Sequence, residues 1–375
     1  MKKIISRIKF LYAIILAVTF RCFFSFIPQK DYWVIMERGK DARDNGYFFY
    51  KYMKDNHPDK KIYYIIDENS ADYHKVKSDA VRLYSLKYYW VVFTCEKYIS
   101  THYNCIIRGL YKYRNLTGIQ KKYCFLQHGI TKDFIPSLCK EKFSTRLFVC
   151  GAYPEYEYLL KTYGHSEDVV KYTGLARFDN LHNVEAIRQI LVMPTWRNNY
   201  FGEFENSDYY KNWRGFLQDK NLIKTLEENN INLIFYPHYE VQKYLKLFDT
   251  DCKNIILASF EDYDVQTLLK ESSVLITDFS SVYFDFAYMK KPVIYFQFDK
   301  DVFFKNHYLK GYFDYDTMGF GKVCETIGDT VCEVSDIIKN DFSMSSYYLQ
   351  RTESFFPLYD KDNCQRIYNE IINIK

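Results

Sequence analysis

Short apolar runs alternating with amphipathic stretches along most of the chain leave this sequence few folds to choose from. Tyr32-Trp33-Val34-Ile35-Met36, Lys61 to Ile66, Tyr98-Ile99-Ser100, Tyr123 to Gln127 and Leu147 to Cys150 read as strands. Their apolar residues run on instead of alternating with polar ones, as expected for strands covered on both faces. Helical patterns lie between them. Gly46 to Lys54 sets Phe49, Tyr52 and Met53 on one side, and Pro154 to Gly164 ends on a glycine, a common helix stop. Strand, helix and strand in repetition predict an α/β chain with parallel sheets. After Val169 to Thr173 the chain turns through Gly174 to Leu181 and a second series starts: Ile190 to Met193, Asn232 to Tyr236, Asn254 to Leu257, Val274 to Thr277 and Pro292 to Phe296. At 375 residues the chain exceeds what one core usually serves, roughly 250–300 residues. The expected division is a leading segment 1–30, a first α/β lobe 31–185, a second 186–343 and a helical segment 344–375 that packs back on the first lobe.

Charge and cysteine usage narrow the function. A net charge of +4 gives no global basic field, so nucleic acid is not an expected partner. The 10 cysteines include no CxxC pair, and some sit in apolar runs such as Phe148-Val149-Cys150. They read as reduced core residues of a cytoplasmic body, not as a disulfide frame or a zinc site. The leading stretch MKKIISRIKFLYAIILAVTFRCFFSFIP departs from this pattern. Lys2, Lys3, Arg7 and Lys9 precede an apolar run that Arg21 interrupts, too short and broken for the ~20 apolar residues of a spanning helix. It fits best a basic helix lying on an anionic membrane surface, with a spanning or a packed helix as the alternatives. The expected location is therefore the cytoplasmic face of the membrane.

In open parallel sheets ligands collect beyond the carboxyl ends of strands, so polar residues directly after strands are the informative ones. Phe125-Leu126-Gln127-His128-Gly129 ends a strand in a histidine, which can accept a hydroxyl proton near neutral pH. Val192-Met193-Pro194-Thr195-Trp196-Arg197 ends one in a guanidinium able to grip a phosphate. Ile234-Phe235-Tyr236-Pro237-His238 ends a third in another histidine. Taken singly, the histidines read as readily as strand-end groups bonded to backbone, and Arg197 as a surface ion pair. The fourth corner is Thr277-Asp278-Phe279-Ser280-Ser281. Asp278, Ser280 or Ser281 could cap the following helix, but capping does not use all the polar groups there. Hydroxyls at a helix start also suit an anion, so Thr277, Ser280 and Ser281 read as a phosphate cradle. Asp249-Thr250-Asp251 and Asp314-Tyr315-Asp316 have the DxD form of some metal sites but lack a convincing strand before them. No P-loop and no strand-borne GxGxxG occurs, and Gly319-Phe320-Gly321 is a lone GxG.

In order along the chain, these corners resemble the CDP-glycerol glycerophosphotransferase family of teichoic-acid and capsule polyol-phosphate transferases. The matching pieces are Gly39 with Asp44-Asn45-Gly46, then Gln127-His128-Gly129, Thr173 to Asp179, Pro194-Thr195-Trp196-Arg197, Pro237-His238, Thr277 to Asp285, and Gly311 to Tyr315. The resemblance implies a GT-B-like fold of two Rossmann-like lobes with an inter-lobe cleft. It also implies transfer of glycerol phosphate or ribitol phosphate from a CDP-activated donor to a hydroxyl of a lipid-linked acceptor, with release of CMP and no cofactor. His128 is similar to the family's catalytic base and His238 to its second essential histidine. Arg197 would contact donor phosphates, and Thr277, Ser280 and Ser281 would cradle them with Asp278 fixing the turn. Glu271 and Asp285 would reach the cytidine ribose or support that loop. Where glycerol-donor members often read Trp-His-Gly-Thr-Pro-Leu-Lys, this chain has Gln127-His128-Gly129-Ile130-Thr131-Lys132-Asp133. A nucleotide-sugar glycosyltransferase of GT-B architecture and a non-catalytic scaffold of surface-polymer assembly are the alternative readings.

Overall fold

The computed structural model describes residues 12, 15, 19, 30–103, 122–197, 204–306 and 309–374. They divide into two compact units: the first within Met1–Ile130, Pro136–Asn180 and Asp360–Lys375, the second Thr131–Ile135 with Leu181–Tyr359. Apart from Tyr12, Ile15 and Thr19, which are helical and exposed, the leading segment 1–29 lies outside the described residues. Among the described residues no helix is long and apolar enough to cross a membrane.

Unit 1 is built on a seven-stranded sheet whose paired strands all run parallel. Its strands are β1 (Lys30–Met36), β2 (Ile62–Ile66), β3 (Ala80–Arg82), β4 (Cys95–Ser100), β5 (Tyr123–Phe125), β6 (Leu147–Cys150) and β7 (Val170–Tyr172), in the order 3-2-1-4-5-6-7. Unit 2 repeats the plan with β8 (Ile187–Met193), β9 (Asn232–Phe235), β10 (Ile255–Leu257), β11 (Ser272–Thr277), β12 (Val293–Phe296) and β13 (Gly321–Cys324), in the order 10-9-8-11-12-13. The chain therefore reverses direction across each sheet once, between β1 and β4 and between β8 and β11. Beyond the carboxyl ends of those strand pairs the loops part, which is where such sheets bind ligands.

The apolar runs became strands for the expected reason. Val34, Ile35 and Met36 in β1 and Leu275 and Ile276 in β11 are fully buried. The sequence reading missed β3 and β13. The first is only three residues long. In the second, Gly321 gives close approach: a Cβ there would lie 1.7 Å from the Val293 carbonyl oxygen of β12. The lone GxG is thus a packing device.

The C-terminal stretch splits between the units. The helix Ser346–Phe355 belongs to unit 2 and Asp360–Lys375 to unit 1, whereas the sequence reading took 344–375 as one segment. The reason is aromatic: Phe355 stacks on Phe284 at 5.5 Å and meets Phe320 edge-on at 5.1 Å. The last helix, Asn363–Ile372, is tied into unit 1 by Asp179, whose carboxylate accepts the Asn363 amide at 2.9 Å, its side-chain nitrogen at 2.7 Å and the Cys364 amide at 2.9 Å. Gly174, at φ +76°, makes room for this join, since a Cβ would fall 1.7 Å from Asn363 Oδ1. Asp179→Ala removes three charge-assisted bonds at a half-buried site. We expect it to lower unfolding free energy by about 1.5–3 kcal/mol and to speed proteolytic loss of the last helix, checked by urea denaturation and limited trypsin digestion.

Candidate active site

In unit 1, three sequence-distant segments meet at the carboxyl end of the sheet. After β5 the backbone passes Gln127 at φ +58°, a left-handed conformation that costs a non-glycine residue about 1–2 kcal/mol. The surroundings over-determine it. Gln127 Nε2 donates to the Val149 carbonyl at 2.6 Å and to Glu155 Oε1 at 3.0 Å, while its own carbonyl accepts Asn45 Nδ2 at 2.8 Å. Asn45 Oδ1 accepts the Arg177 amide at 3.1 Å, and Arg177 Nη1 donates to Asp44 Oδ1 at 3.0 Å and to the His128 carbonyl at 2.8 Å. The pieces Asp44-Asn45, Gln127-His128 and Arg177 thus form one hydrogen-bonded frame whose product is the position of the His128 backbone.

The His128 ring is the exposed element of that frame. The residue is exposed, yet protein atoms crowd its ring. Burial, with Arg177 and Arg38 nearby, pushes its pKa down to about 4, against a hydrogen bond to the Thr101 backbone. The imidazole is therefore neutral at pH 7 and able to accept a proton.

A second histidine lies flat against it: His102, whose ring centroid is 4.6 Å away with 19° between the planes. The sequence reading overlooked His102. It follows β4 directly, so the rule that singled out His128 also pointed to it; the polar residues Ser100 and Thr101 around it blurred the strand end.

In unit 2 the corners after β8 and β11 are locked to each other. Asp278 is fully buried, and its Oδ1 accepts the amides of Thr195 at 2.8 Å and Phe279 at 2.6 Å. Its Oδ2 lies 2.9 Å from Arg197 Nη2, an ion pair without straight hydrogen-bond geometry. Arg197 also grips Asp299 through Nε at 2.7 Å and Nη2 at 2.9 Å, and Nη1 donates to the Thr195 carbonyl at 2.6 Å. The rings of Phe279 and Phe303, stacked on each other at 3.8 Å, lie 5.2 and 4.8 Å from the guanidinium carbon. The Thr277 hydroxyl donates to the Met193 carbonyl of β8 at 2.6 Å. Arg197 and Thr277, to which the sequence reading gave donor phosphates, link the ends of β8 and β11 through these bonds.

The helix after this corner, Tyr283–Tyr288, is capped by the backbone of Val282 with no side-chain cap, so the expected cap from Asp278, Ser280 or Ser281 is not formed. Ser280 and Ser281 are half-buried. His238, after β9, is half-buried too, stacked on Trp196 at 5.8 Å and beside the exposed Tyr239 at 4.6 Å. Its Nδ1 accepts a long 3.4 Å bond from the Glu240 amide, which favours the proton on Nε2.

Two expected residues fall elsewhere. Glu271 is exposed at the end of Val265–Glu271, just before β11, so the length of that strand, on the order of 20 Å, separates it from Asp278. It is at the wrong edge of the sheet for a ribose at that corner. Asp285 is buried in the first turn of Tyr283–Tyr288. Of the DxD pairs, Asp314 caps Tyr315–Met318 and Asp316 pairs with Lys300. No cluster of metal-ligating side chains occurs among the described residues.

The departure after His128 also has a place. Thr131–Ile135 belongs to unit 2, where Phe134 pairs with Leu309 and the Lys132 carbonyl lies against Gly311, 2.1 Å from where a Cβ would be.

A family described as CDP-Glycerol:Poly(glycerophosphate) glycerophosphotransferase matches residues 17–373. The chain belongs to this family. It is 33% identical over 375 residues to the minor teichoic acid biosynthesis protein GgaB of Bacillus subtilis (strain 168), covering 94% of this chain and 41% of that protein. It is 25% identical to the teichoic acid poly(glycerol phosphate) polymerase of Bacillus spizizenii, covering 99% of both. The B. subtilis polymerase of the same name is matched over 51% of its length, so the chain spans about half or less of two of these relatives. Among solved structures, the wall teichoic acid polymerase TagF superposes with a TM-score of 0.71 at 18% identity, covering 99% of this chain and 96% of that one. An S. aureus MnaA–UDP structure superposes at 0.58 with 13% identity, covering 92% of this chain and 98% of that one, a likeness of fold alone.

Removing Arg197 strands the buried Asp278 beside the part-buried Asp299. We expect Arg197→Met to cost about 3–5 kcal/mol in urea denaturation, and the double change Arg197→Met with Asp278→Leu to recover part of that loss.

Proposed function

We propose that this chain transfers a polyol phosphate, glycerol phosphate or ribitol phosphate, from a CDP-activated donor to an acceptor hydroxyl in teichoic-acid synthesis, releasing CMP. The observation that carries the reading is His128: a neutral imidazole on an exposed residue, whose backbone is held by the Asn45–Gln127–Arg177 frame at a strand end whose motif resembles that of the family's catalytic histidine. The relatives' names support it, since GgaB and the poly(glycerol phosphate) polymerases are teichoic-acid proteins and a TagF variant was soaked with CDPG.

In this mechanism His128 accepts the proton of the acceptor hydroxyl. The acceptor oxygen bonds to the polyol-bearing phosphorus of the donor as the bond from that phosphorus to the bridging oxygen breaks, and the electron pair leaves on CMP. Ser280, Ser281 and His238 Nε2–H are the groups of unit 2 able to donate to diphosphate oxygens on which charge grows. Arg197, Thr277 and Asp278 act one step back by fixing the two loops that carry these donors. Such a transfer needs positioning and charge stabilisation more than covalent help, so imidazoles and hydroxyls suffice. The acceptor is lipid-linked, and the basic, apolar stretch 1–28 would hold the chain to the anionic cytoplasmic face of the membrane.

Purified protein incubated with CDP-glycerol, CDP-ribitol and a set of UDP-sugars should release CMP from a CDP-polyol and no UDP; the opposite result supports a glycosyltransferase, and no nucleotide binding at all supports a scaffold. His128→Ala should lower turnover at least ~10²-fold. The sign of the pH effect follows from the lowered pKa. The proton-accepting form of His128 persists as pH falls past 6.5 and is lost only near 4, so the acid limb of kcat/KM should lie below pH 5. A limb centred near 6.5 would mean that the ring is not held as described.

A further inference from the structure

His102 has no part in the mechanism above, yet it is the residue most intimately packed on the proposed base. It leaves β4 at the strand-order reversal of unit 1, and its short approach is pinned at each step. Ser100 Oγ donates to the His102 carbonyl at 3.1 Å and accepts the His102 amide at 3.3 Å. Thr101 Oγ1 lies 2.8 Å from His102 Nδ1, and the Thr101 amide donates to the Met36 carbonyl of β1 at 3.4 Å. Thr101 also offers its backbone to the His128 ring, and as an acceptor it fixes one ring nitrogen of His128 as N–H. The other nitrogen is then the proton acceptor. An imidazole on two free torsions would sweep that lone pair over a wide arc; a second flat ring at 4.6 Å with 19° between planes removes most of the sweep.

We propose that His102 is a positioning residue for His128: stacked face to face and anchored through Ser100 and Thr101, it holds the plane of the base so that its free ring nitrogen stays aimed at the acceptor hydroxyl.

The inference rests on the reading of His128 as the base. The charged and titratable groups around the pair are Arg38 from the loop after β1, Arg177 with its partner Asp44, and His102 itself. None is a carboxylate in contact with the His128 ring among the bonds described, so the ring's orientation comes from stacking and from Thr101, not from the carboxylate that orients many catalytic histidines. The stack also keeps water from one face of His128, and removing it should let the base protonate more easily.

The test uses His102→Ala, His102→Phe and His102→Gln in the full chain, with His128→Ala as the control. CMP release is followed against donor concentration, acceptor concentration and pH, and thermal melting is followed in parallel. His102→Ala and His102→Gln should lower kcat roughly 10- to 100-fold with little change in KM for the donor, because a misaimed base slows the transfer without weakening donor binding. The acid limb of kcat/KM should move up by about one pH unit or more toward the ordinary histidine value, as the ring gains water. His102→Phe keeps a flat ring in place and should restore most of kcat and the low acid limb. Should the alanine variant fail to fold, the contrast between phenylalanine and glutamine decides alone. Two outcomes overturn the proposal while leaving the base in place: wild-type kcat and pH profile in all three variants, or a phenylalanine variant as slow as glutamine at unchanged melting temperature, which would assign the role to the His102 nitrogens. Full activity in His128→Ala removes the base reading itself.

Discussion

Where adjacent parallel strands send their chains off in opposite directions, the loops beyond them part and leave a gap lined by backbone ends. Nothing in the sheet closes that gap, so side chains must. This protein meets the same constraint twice, between β1 and β4 and between β8 and β11, and much of its polar chemistry is a response to it. In unit 2 a carboxylate from one strand end, Asp278, takes an amide from the other, Thr195, while Arg197 draws Asp278 and Asp299 together. In unit 1 Glu37, just beyond β1, accepts the amides of Arg43 at 3.1 Å, Asp44 at 2.9 Å and Tyr47 at 2.8 Å, which sets the start of the helix Asn45–Asn56 and hence Asn45.

These bonds decide which polar groups remain for chemistry. A buried guanidinium between two carboxylates would be expensive to expose, and a threonine hydroxyl bonded to the neighbouring strand has its proton committed. Arg197, Asp278 and Thr277 therefore work as scaffold for what lies next to them: Ser280, Ser281 and His238. Gln127, Asn45 and Arg177 stand in the same relation to His128. The proposed machinery is thus thin. A few half-buried or exposed imidazoles and hydroxyls are set among a larger group of buried, hydrogen-bonded polar residues, a fair division for a transfer that depends on aim and charge more than on covalent steps.

The break in the family's histidine motif fits this picture. Of the residues that differ from the glycerol-donor pattern, Gln127 and Ile130 belong to unit 1, while Thr131, Lys132 and Asp133 fall in unit 2, where Phe134 pairs with Leu309 and the Lys132 carbonyl lies against Gly311. The departure therefore touches the His128 frame through Gln127 as well as contacts within unit 2.

The order of strands and helices, two α/β units and the corners bearing His128, Arg197, His238 and Asp278 were legible because each depends on local pattern: continuous apolar runs, punctuating glycines and polar residues at strand ends. Family membership was legible for the same reason, through short motifs in sequence order. What the sequence left open was which of several polar residues at one corner faces outward, because that depends on partners far along the chain. Thr277 and Ser280 look alike in sequence, but only one lies beside the Met193 carbonyl. Glu271 stood close to Asp278 in number and proved to be a strand's length away, since an extended strand carries its two ends to opposite edges of the sheet. His102 and His128 are neighbours only because β4 and β5 pair in parallel, and a ring stacked on a ring is a fact of that pairing, not of any local run of residues.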